Sequence, residues 1–139
     1  MALYKLIDHT ADLGMEVTGR TKRELFTKAV LSLMDIVVER KETGAGVKEK
    51  ALTVEGSDSA DLLINFLREI LYLFNGEALI IGTCKITKCG NKKLDARLLL
   101  EPYNKKKHVI KTEIKAVTYH GLSVERIKNG WRARIIFDV

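Results

Sequence analysis

The pattern of hydrophobic and polar positions predicts two strands at the start of the chain and two amphipathic helices after them. Residues 3–7 form a short apolar segment, and from residue 13 to residue 17 apolar residues alternate with polar residues or glycine. This alternation has the period of two expected of a strand with one buried face. Two later segments place apolar residues three and four positions apart, which is typical of helices that cover a core.

Both helices have recognisable ends. Thr21 and Glu24 fit a capping box, in which each side chain accepts a hydrogen bond from an amide near the helix start. The second helix is expected to begin near residues 57–59, whose polar side chains suit capping, and to stop at Asn75 and Gly76. Between the helices, residues 39–50 are charged and contain glycine, which predicts a mobile loop or the tip of a hairpin.

The second half of the chain is predicted to be β-structure. Residues 79–87 and 92–100 flank a turn and are expected to form a hairpin. Together with a strand at 51–55, this order predicts a single α+β domain over residues 1–139, with two amphipathic helices packed on largely antiparallel β-sheet. Three further strands are expected at residues 113–119, 122–127 and 131–138, separated by turns at His120-Gly121 and Asn129-Gly130.

The composition indicates an ordinary globular protein. At 139 residues the chain is long enough to bury one hydrophobic core. Its hydrophobic fraction of 46% and charged fraction of 30% are typical of soluble proteins. No apolar run approaches the roughly 20 residues that span a bilayer, and the N-terminus lacks the pattern of a secretion signal. We therefore expect a cytoplasmic protein with no membrane partner.

The positive charge is concentrated in residues 83–115, which contain ten Lys or Arg and three Asp or Glu, in a chain with a net charge of +6. Such a segment suits RNA or an acidic protein surface, although a solvated lysine-rich face is the commoner meaning. Cys84 and Cys89 lie in this segment, and their separation would put them on opposite faces of a continuous strand. Without zinc-site spacing, reduced and partly buried thiols are expected.

Residues with chemical potential are concentrated in the sequence DHTADLG at residues 8–14. Counting along the strand alternation places Asp12 with Glu16, on the face away from the core. In the last strand the same counting places Asp138 with Arg134, again away from the core. Ca²⁺ and Mg²⁺ prefer carboxylate, carbonyl and water oxygens as ligands. One interpretation is therefore a hard-cation site built from the two aspartates.

Other interpretations stay open at this point. If Val139 ends the chain, its carboxylate adds a third anion beside Asp138. However, the sequence does not establish that the two strand ends meet, and Asp8 and Asp12 could serve only as turn formers. His9 suggests a base or a metal ligand, but the other two histidines lie in separate loops without nucleophile–base spacing. Catalysis by this chain alone is therefore not favoured.

Several motifs, spread along the chain in order, resemble those of the archease family. The resemblance runs nearly from end to end, which makes it more specific than any single motif. The poorest match is residues 39–50, to which no function is assigned. The motifs are DHTADLG at 8–14, LL through EIL at 62–71, EPY at 101–103 with KH at 107–108, KAVTYH at 115–120, GW at 130–131 and DV at 138–139.

The resemblance implies an accessory protein rather than a stand-alone enzyme. Archeases activate RtcB-type RNA ligases, which join an RNA end carrying a 3′-phosphate or 2′,3′-cyclic phosphate to a 5′-hydroxyl during tRNA splicing. They promote guanylylation of the ligase's active-site histidine from GTP, allow multiple turnover and broaden nucleotide use. The family's metal site matches Asp12, Asp138 and Val139, with Asp8 and His9 as supporting residues. Calcium is the favoured cation, and magnesium or manganese would also suit.

The implied partner is an RtcB-type ligase, which would bring tRNA close to this protein. Two rival functions stay open. One is a metal-dependent phosphoesterase, which would turn over phosphates without a ligase. The other is a basic RNA-binding or chaperone-like module, whose salt-sensitive RNA affinity would survive Asp12→Asn. The candidates for docking on the ligase or on RNA are basic residues, namely Lys105, Lys106, Lys107, His108, Lys111 and Lys115.

Overall fold

Two helices and nine strands make up the part of the chain that the computed structural model describes, which is residues 3–9, 12–41 and 48–139. The predicted α+β fold with largely antiparallel sheet is confirmed. In chain order the elements are β1 (Lys5–His9), β2 (Asp12–Gly19), α1 (Lys22–Val37), β3 (Val38–Arg40), β4 (Lys48–Glu55), α2 (Ser59–Glu77), β5 (Leu79–Cys89), β6 (Lys93–Pro102), β7 (His108–Ile110), β8 (Ala116–Ile127) and β9 (Gly130–Asp138).

The described strands form three antiparallel sheets. A four-stranded sheet has the order β1-β2-β9-β8, so that the last strand lies between strands from opposite ends of the sequence. In its register, Leu13 lies opposite Phe137 and Met15 lies opposite Ile135. A three-stranded sheet has the order β4-β6-β5, and β3 pairs with β7.

The helices begin where the capping signals predict. The Thr21 hydroxyl accepts a hydrogen bond from the N–H of Glu24 at 3.1 Å, and the Asp58 carboxylate accepts one from the N–H of Asp61 at 2.8 Å. Each bond satisfies an amide that has no partner within its helix. The second helix continues past the predicted stop at Asn75-Gly76 and ends at Glu77. The next residue, Ala78, caps it in a left-handed conformation with φ of 54°.

Both helices contact both of the larger sheets. Helix α1 packs against β2, β9 and β5, whereas α2 packs against β8, β5 and β4. The side chains buried between them include Phe26, Phe66 and Phe137, which are fully inaccessible to solvent. Because β2 and β9 lie under α1, the inner face of the four-stranded sheet is apolar and its other face carries the polar residues.

Two predictions about strands were wrong in detail. Residues 116–127 form one strand rather than two strands joined by a turn at His120-Gly121. Both halves of β8 pair with the same strand β9, and the residues between Thr118 and Ser123 bulge out of the register. Gly121, with φ of 69°, supports this bulge instead of a chain reversal. Residues 113–115 lie outside regular structure.

The loop predicted at residues 39–50 is shorter than expected. Glu39 and Arg40 belong to β3 and pair with β7, while residues 48–50 begin β4. His108 begins β7, the strand with which β3 pairs. Residues 42–47 lie outside the described part of the chain, so the prediction of mobility there stays a prediction.

The two cysteines lie on the same face of β5, contrary to the prediction for a continuous strand. A register shift between Ile86 and Lys88 adds one residue to β5, which reverses the alternation of faces beyond it. Cys84 consequently pairs with Leu98 and Cys89 with Leu94, both of which are buried. Both thiols are free and half-buried, as predicted.

We expect the thiols of the folded protein to be poorly reactive. Burial raises the pKa of the Cys84 thiol to about 11, and it also raises the pKa of Cys89. Since the thiolate is the nucleophile, alkylation of Cys84 by iodoacetamide at pH 8 should be at least about tenfold slower in the folded than in the urea-unfolded protein. Peptide mass spectrometry measures both sites, and equal rates in the two states would contradict the burial argument.

Candidate functional site

The two candidate aspartates lie at the same end of the paired strands β2 and β9. Leu13 lies opposite Phe137, and the next residues along the two strands are Asp12, which begins β2, and Asp138, which ends β9. Phe137 is fully buried and Leu13 packs on the core. Because side chains alternate along a strand, Asp12 and Asp138 lie on the other face of the sheet, as predicted from their parity. Asp12 is half-buried and Asp138 is exposed.

The backbone of β1 adds a third strand to this end of the sheet. His9 pairs with Asp12, and Asp138 ends the next strand of the sheet, β9. Asp8 pairs with Leu13 and therefore occupies the neighbouring row. The residues between His9 and Asp12 lie outside the described part of the chain.

On its other side, Asp138 is flanked by the start of β8. Ala116 pairs with Asp138, and the N–H of Lys115 donates a hydrogen bond to the Asp138 carbonyl oxygen at 2.7 Å. The Lys115 side chain is exposed. Of the predicted docking residues, Lys115 is thus tied directly to the strand end that carries a candidate ligand.

Two side chains of α2 hold this start of β8 in place. The Nδ2 amide of Asn75 donates a hydrogen bond to the carbonyl oxygen of Ile114 at 2.9 Å. The guanidinium of Arg68 donates to the carbonyl oxygen of Val117 at 3.1 Å from Nη2. These bonds occupy main-chain acceptors on both sides of Lys115, at the edge of the sheet, and so fix the backbone beside Asp138.

The two aspartates carry the kind of oxygen ligand that a hard divalent cation prefers. Asp12 and Asp138 supply carboxylate oxygens, and Val139 follows with further main-chain oxygens. Within the described residues, no group of three or more His, Cys, Asp or Glu side chains is close enough to hold a metal. Any further ligands from the described residues would therefore be main-chain oxygens, with water.

A second carboxylate on the same face of β2 is engaged by arginines. Glu16 lies 3.2 Å from Nε of Arg134 and 3.9 Å from Nε of Arg132, and Arg132 also donates to Glu125 at 3.0 Å. Along the sheet, these ion pairs lie on the far side of Ile136 from the strand ends that carry the two aspartates. Glu16 therefore serves as a matched comparison for Asp12, with the same strand, face and charge sign.

The other predicted docking lysines lie in other parts of the fold than Lys115. Lys105 and Lys106 are exposed and Lys107 is half-buried in the turn between β6 and β7. Lys105 and Lys107 border a cavity of about 450 Å³ beside Tyr103. The exposed Lys111 borders a different cavity of about 530 Å³, next to α1.

His108 is buried, so its side chain does not reach the surface as a docking residue would. It is 2% exposed, its Nδ1 accepts the N–H of Asn104 at 2.9 Å, and its Nε2 lies 3.0 Å from Oε1 of Glu101. With Nδ1 acting as acceptor, Nε2 carries the proton and donates to the carboxylate. The pair ties the end of β6 to the start of β7, and Arg40 of β3 lies 3.8 Å from the same carboxylate oxygen.

Some residues around the site are not identifiable from sequence. Asn75 carries a helix-stop signal, and Arg68 follows the ordinary pattern of an exposed helical residue. Asn75 nevertheless binds the backbone just before β8, and Arg68 binds the backbone of β8. The EPY and KH motifs mark Glu101 and His108, but nothing in their spacing indicates that the two side chains pair. No helix in the described part of the chain has the length and apolar character needed to cross a membrane.

Comparisons with known proteins agree on one family. The family model described as "Archease protein family (MTH1598/TM1083)" matches residues 4–139. The protein archease of Pyrococcus furiosus is 36% identical over the whole of both chains. The protein archease of Methanosarcina barkeri is 30% identical over 98% of this chain and 95% of the relative.

Two solved structures are similar to the fold of this chain. The solution structure of Methanobacterium thermoautotrophicum protein 1598 gives a TM-score of 0.72 at 25% identity and covers all of both chains. The crystal structure of an archease from Thermotoga maritima, described as a possible chaperone, gives a TM-score of 0.62 at 25% identity over 97% of this chain and 96% of that one. With the family match extending over nearly every residue, this chain belongs to the archease family.

Proposed function

We propose that this protein is a cytoplasmic accessory factor that activates an RtcB-type RNA ligase in tRNA splicing. Membership of the archease family supports the accessory role. The observation that carries the chemical part of the proposal is the β2–β9 register, in which Leu13 lies opposite Phe137 and the next residues along the two strands are Asp12 and Asp138. These carboxylates, with the oxygens of Val139, would hold a divalent cation, and the oxygen donor set favours calcium, with magnesium or manganese as alternatives.

The cation would act on the ligase rather than on a substrate bound to this chain alone. A divalent ion supplies positive charge that neutralises phosphate oxygens, which favours transfer of GMP from GTP to the ligase histidine. In this proposal Asp12 and Asp138 hold the cation at the ends of their strands, where a partner's nucleotide can reach it. His9 and Asp8 support the strand end that presents Asp12, and Lys115 lies where a positive side chain could contact the ligase.

The decisive experiment is a guanylylation assay with purified RtcB-type ligase, GTP and a divalent cation. Adding this protein at substoichiometric amounts should raise the rate of ligase guanylylation and convert RNA ligation from single to multiple turnover. Bovine serum albumin at the same concentration controls for non-specific effects. An unchanged guanylylation rate at equimolar protein would refute the activator role.

The same preparation separates the rival phosphoesterase function. Under the activator proposal, the protein incubated alone with GTP or with RNA ending in a 2′,3′-cyclic phosphate should release no product in the presence of Ca²⁺, Mg²⁺ or Mn²⁺. Turnover without ligase, lost in Asp12→Asn, would support hydrolysis by this chain instead. Phosphate release and RNA end analysis measure the two outcomes.

A further inference from the structure

A groove between α2 and the start of β8 has the features of a single-stranded RNA site. Its volume is about 300 Å³, which is enough to hold a nucleotide. Among the residues that line it are two cations and no carboxylate. The α2–β8 groove is lined by Arg68, Leu71, Tyr72, Asn75, Lys115, Ala116 and Val117.

One wall of the α2–β8 groove presents an aromatic ring to solvent. Tyr72 is 61% exposed, although large aromatic side chains usually bury most of their surface. The ring lies against Gly76 one turn later, where an added Cβ would come within 3.1 Å of Cε1 of Tyr72. Gly76 thus leaves space for the ring to lie along the helix. An exposed ring of this kind provides a face on which a nucleobase can stack.

Arg68, one of the two cations that line the groove, is held in a fixed position. The guanidinium of Arg68 lies 4.7 Å from the ring centroid of Tyr119, while its N–H groups donate to the Val117 carbonyl. The Tyr119 hydroxyl in turn donates to Asp61 at 2.7 Å, which holds the pKa of Asp61 below its ordinary value. These contacts hold Arg68 in one orientation at the groove. Its side chain is exposed and also lies within electrostatic range of Asp61, so a phosphate would share the guanidinium with that carboxylate.

The opposite wall of the α2–β8 groove leads to the candidate cation site. Lys115 and Ala116 line the groove, and the same two residues hydrogen-bond and pair with Asp138. A chain bound along the groove would thus pass beside the strand end that carries Asp138. Lys115 is exposed, and its flexible ammonium suits a backbone phosphate.

We propose that the α2–β8 groove binds single-stranded RNA, with a base stacked on Tyr72 and backbone phosphates beside Arg68 and Lys115. This role goes beyond ligase activation because it assigns an RNA contact to this chain itself. A groove lined by an exposed aromatic ring and two cations matches the stacking and charge that sequence-tolerant binding of single strands requires. A protein partner would be expected to cover a larger apolar surface than this groove offers.

The test measures binding of the protein alone to a fluorescein-labelled oligoadenylate of about ten nucleotides by anisotropy. Tyr72→Ala should weaken binding about tenfold, while Tyr72→Phe keeps the ring and should bind as the parent does. Lys115→Gln should reduce the slope of log affinity against log salt by about 0.7, the share of one phosphate contact. Lys85→Gln, an exposed lysine on β5, is the matched control and should leave that slope unchanged.

A parallel assay of ligase guanylylation, run without RNA, separates this proposal from the activator role. Tyr72→Ala should leave the stimulation of guanylylation unchanged, because RNA takes no part in that step. If Tyr72→Ala lowered guanylylation but not oligoadenylate affinity, the groove would be a ligase-docking surface and the RNA proposal would be overturned. Absence of measurable RNA binding by the parent protein at low salt would overturn it equally, whatever the guanylylation assay gives.

Discussion

Asp12→Asn and Asp138→Asn should each lower stimulation of ligase guanylylation by at least about a hundredfold, because loss of residues that merely support metal ligands already costs about 10–100-fold in affinity or activity. The substitutions keep the size of the side chain and remove the negative charge that would hold the cation. The initial rate of guanylylation, measured with radiolabelled GTP and substoichiometric protein, gives the effect. A raised cation concentration should restore part of the lost rate.

Glu16→Gln is the matched control for these variants. It removes a carboxylate from the same strand and the same face as Asp12, but its partners are Arg132 and Arg134 rather than the strand end. It should retain most of the stimulation, and urea denaturation should show that all three variants are folded. Normal stimulation by both Asn variants would mean that the paired carboxylates do not hold a functional cation.

Gly130→Ala should lower the free energy of unfolding by at least about 3 kcal/mol. Gly130 has φ of 149°, a conformation that residues with a side chain rarely adopt, so the substitution is strained even before packing is considered. An added Cβ would also lie 2.2 Å from the carbonyl oxygen of Gly19 and 3.0 Å from Cα of Arg20. Both contacts are with backbone, which cannot rotate away as a side chain could. Urea denaturation measures the loss.

Gly90→Ala provides the comparison at another hairpin turn. An added Cβ there would meet the carbonyl oxygen of Lys93 at an ordinary 3.4 Å, and Gly90 has no positive φ. Its effect should be below about 1 kcal/mol. A loss for Gly130→Ala as small as that for Gly90→Ala would contradict the clash argument, because it would show that the turn at Gly130 can move away from Gly19 without cost.

The helix starts and the strand faces are predictable because they depend on neighbouring residues. Thr21 and Asp58 cap their helices through bonds that span three residues. The alternation along β2 and β9 places Asp12 and Asp138 away from the core without any knowledge of the partner strand. The residues of the candidate cation site, their face and the family resemblance therefore follow from local order alone.

Bulges and helix ends were predicted less well, because they depend on contacts that the local pattern does not contain. His120-Gly121 has the composition of a turn, but β9 pairs with both halves of β8 and converts the expected reversal into a bulge. The register shift in β5 likewise moves Cys84 and Cys89 onto one face. Helix α2 passes Asn75-Gly76, and there the Asn75 amide binds the carbonyl oxygen of Ile114.

The sequence by itself determined the two helices, where they begin, and the faces of β2 and β9 on which Asp12 and Asp138 lie, because capping and alternation act over a few residues. Only the tertiary structure decided that β2 and β9 are neighbours, which places the two aspartates at the same end of a strand pair. It also decided that Gly130 meets the backbone of Gly19 and that Tyr72 and Lys115 line one groove. These relations join residues far apart in the chain, so they arise from strand pairing and core packing rather than from any local pattern.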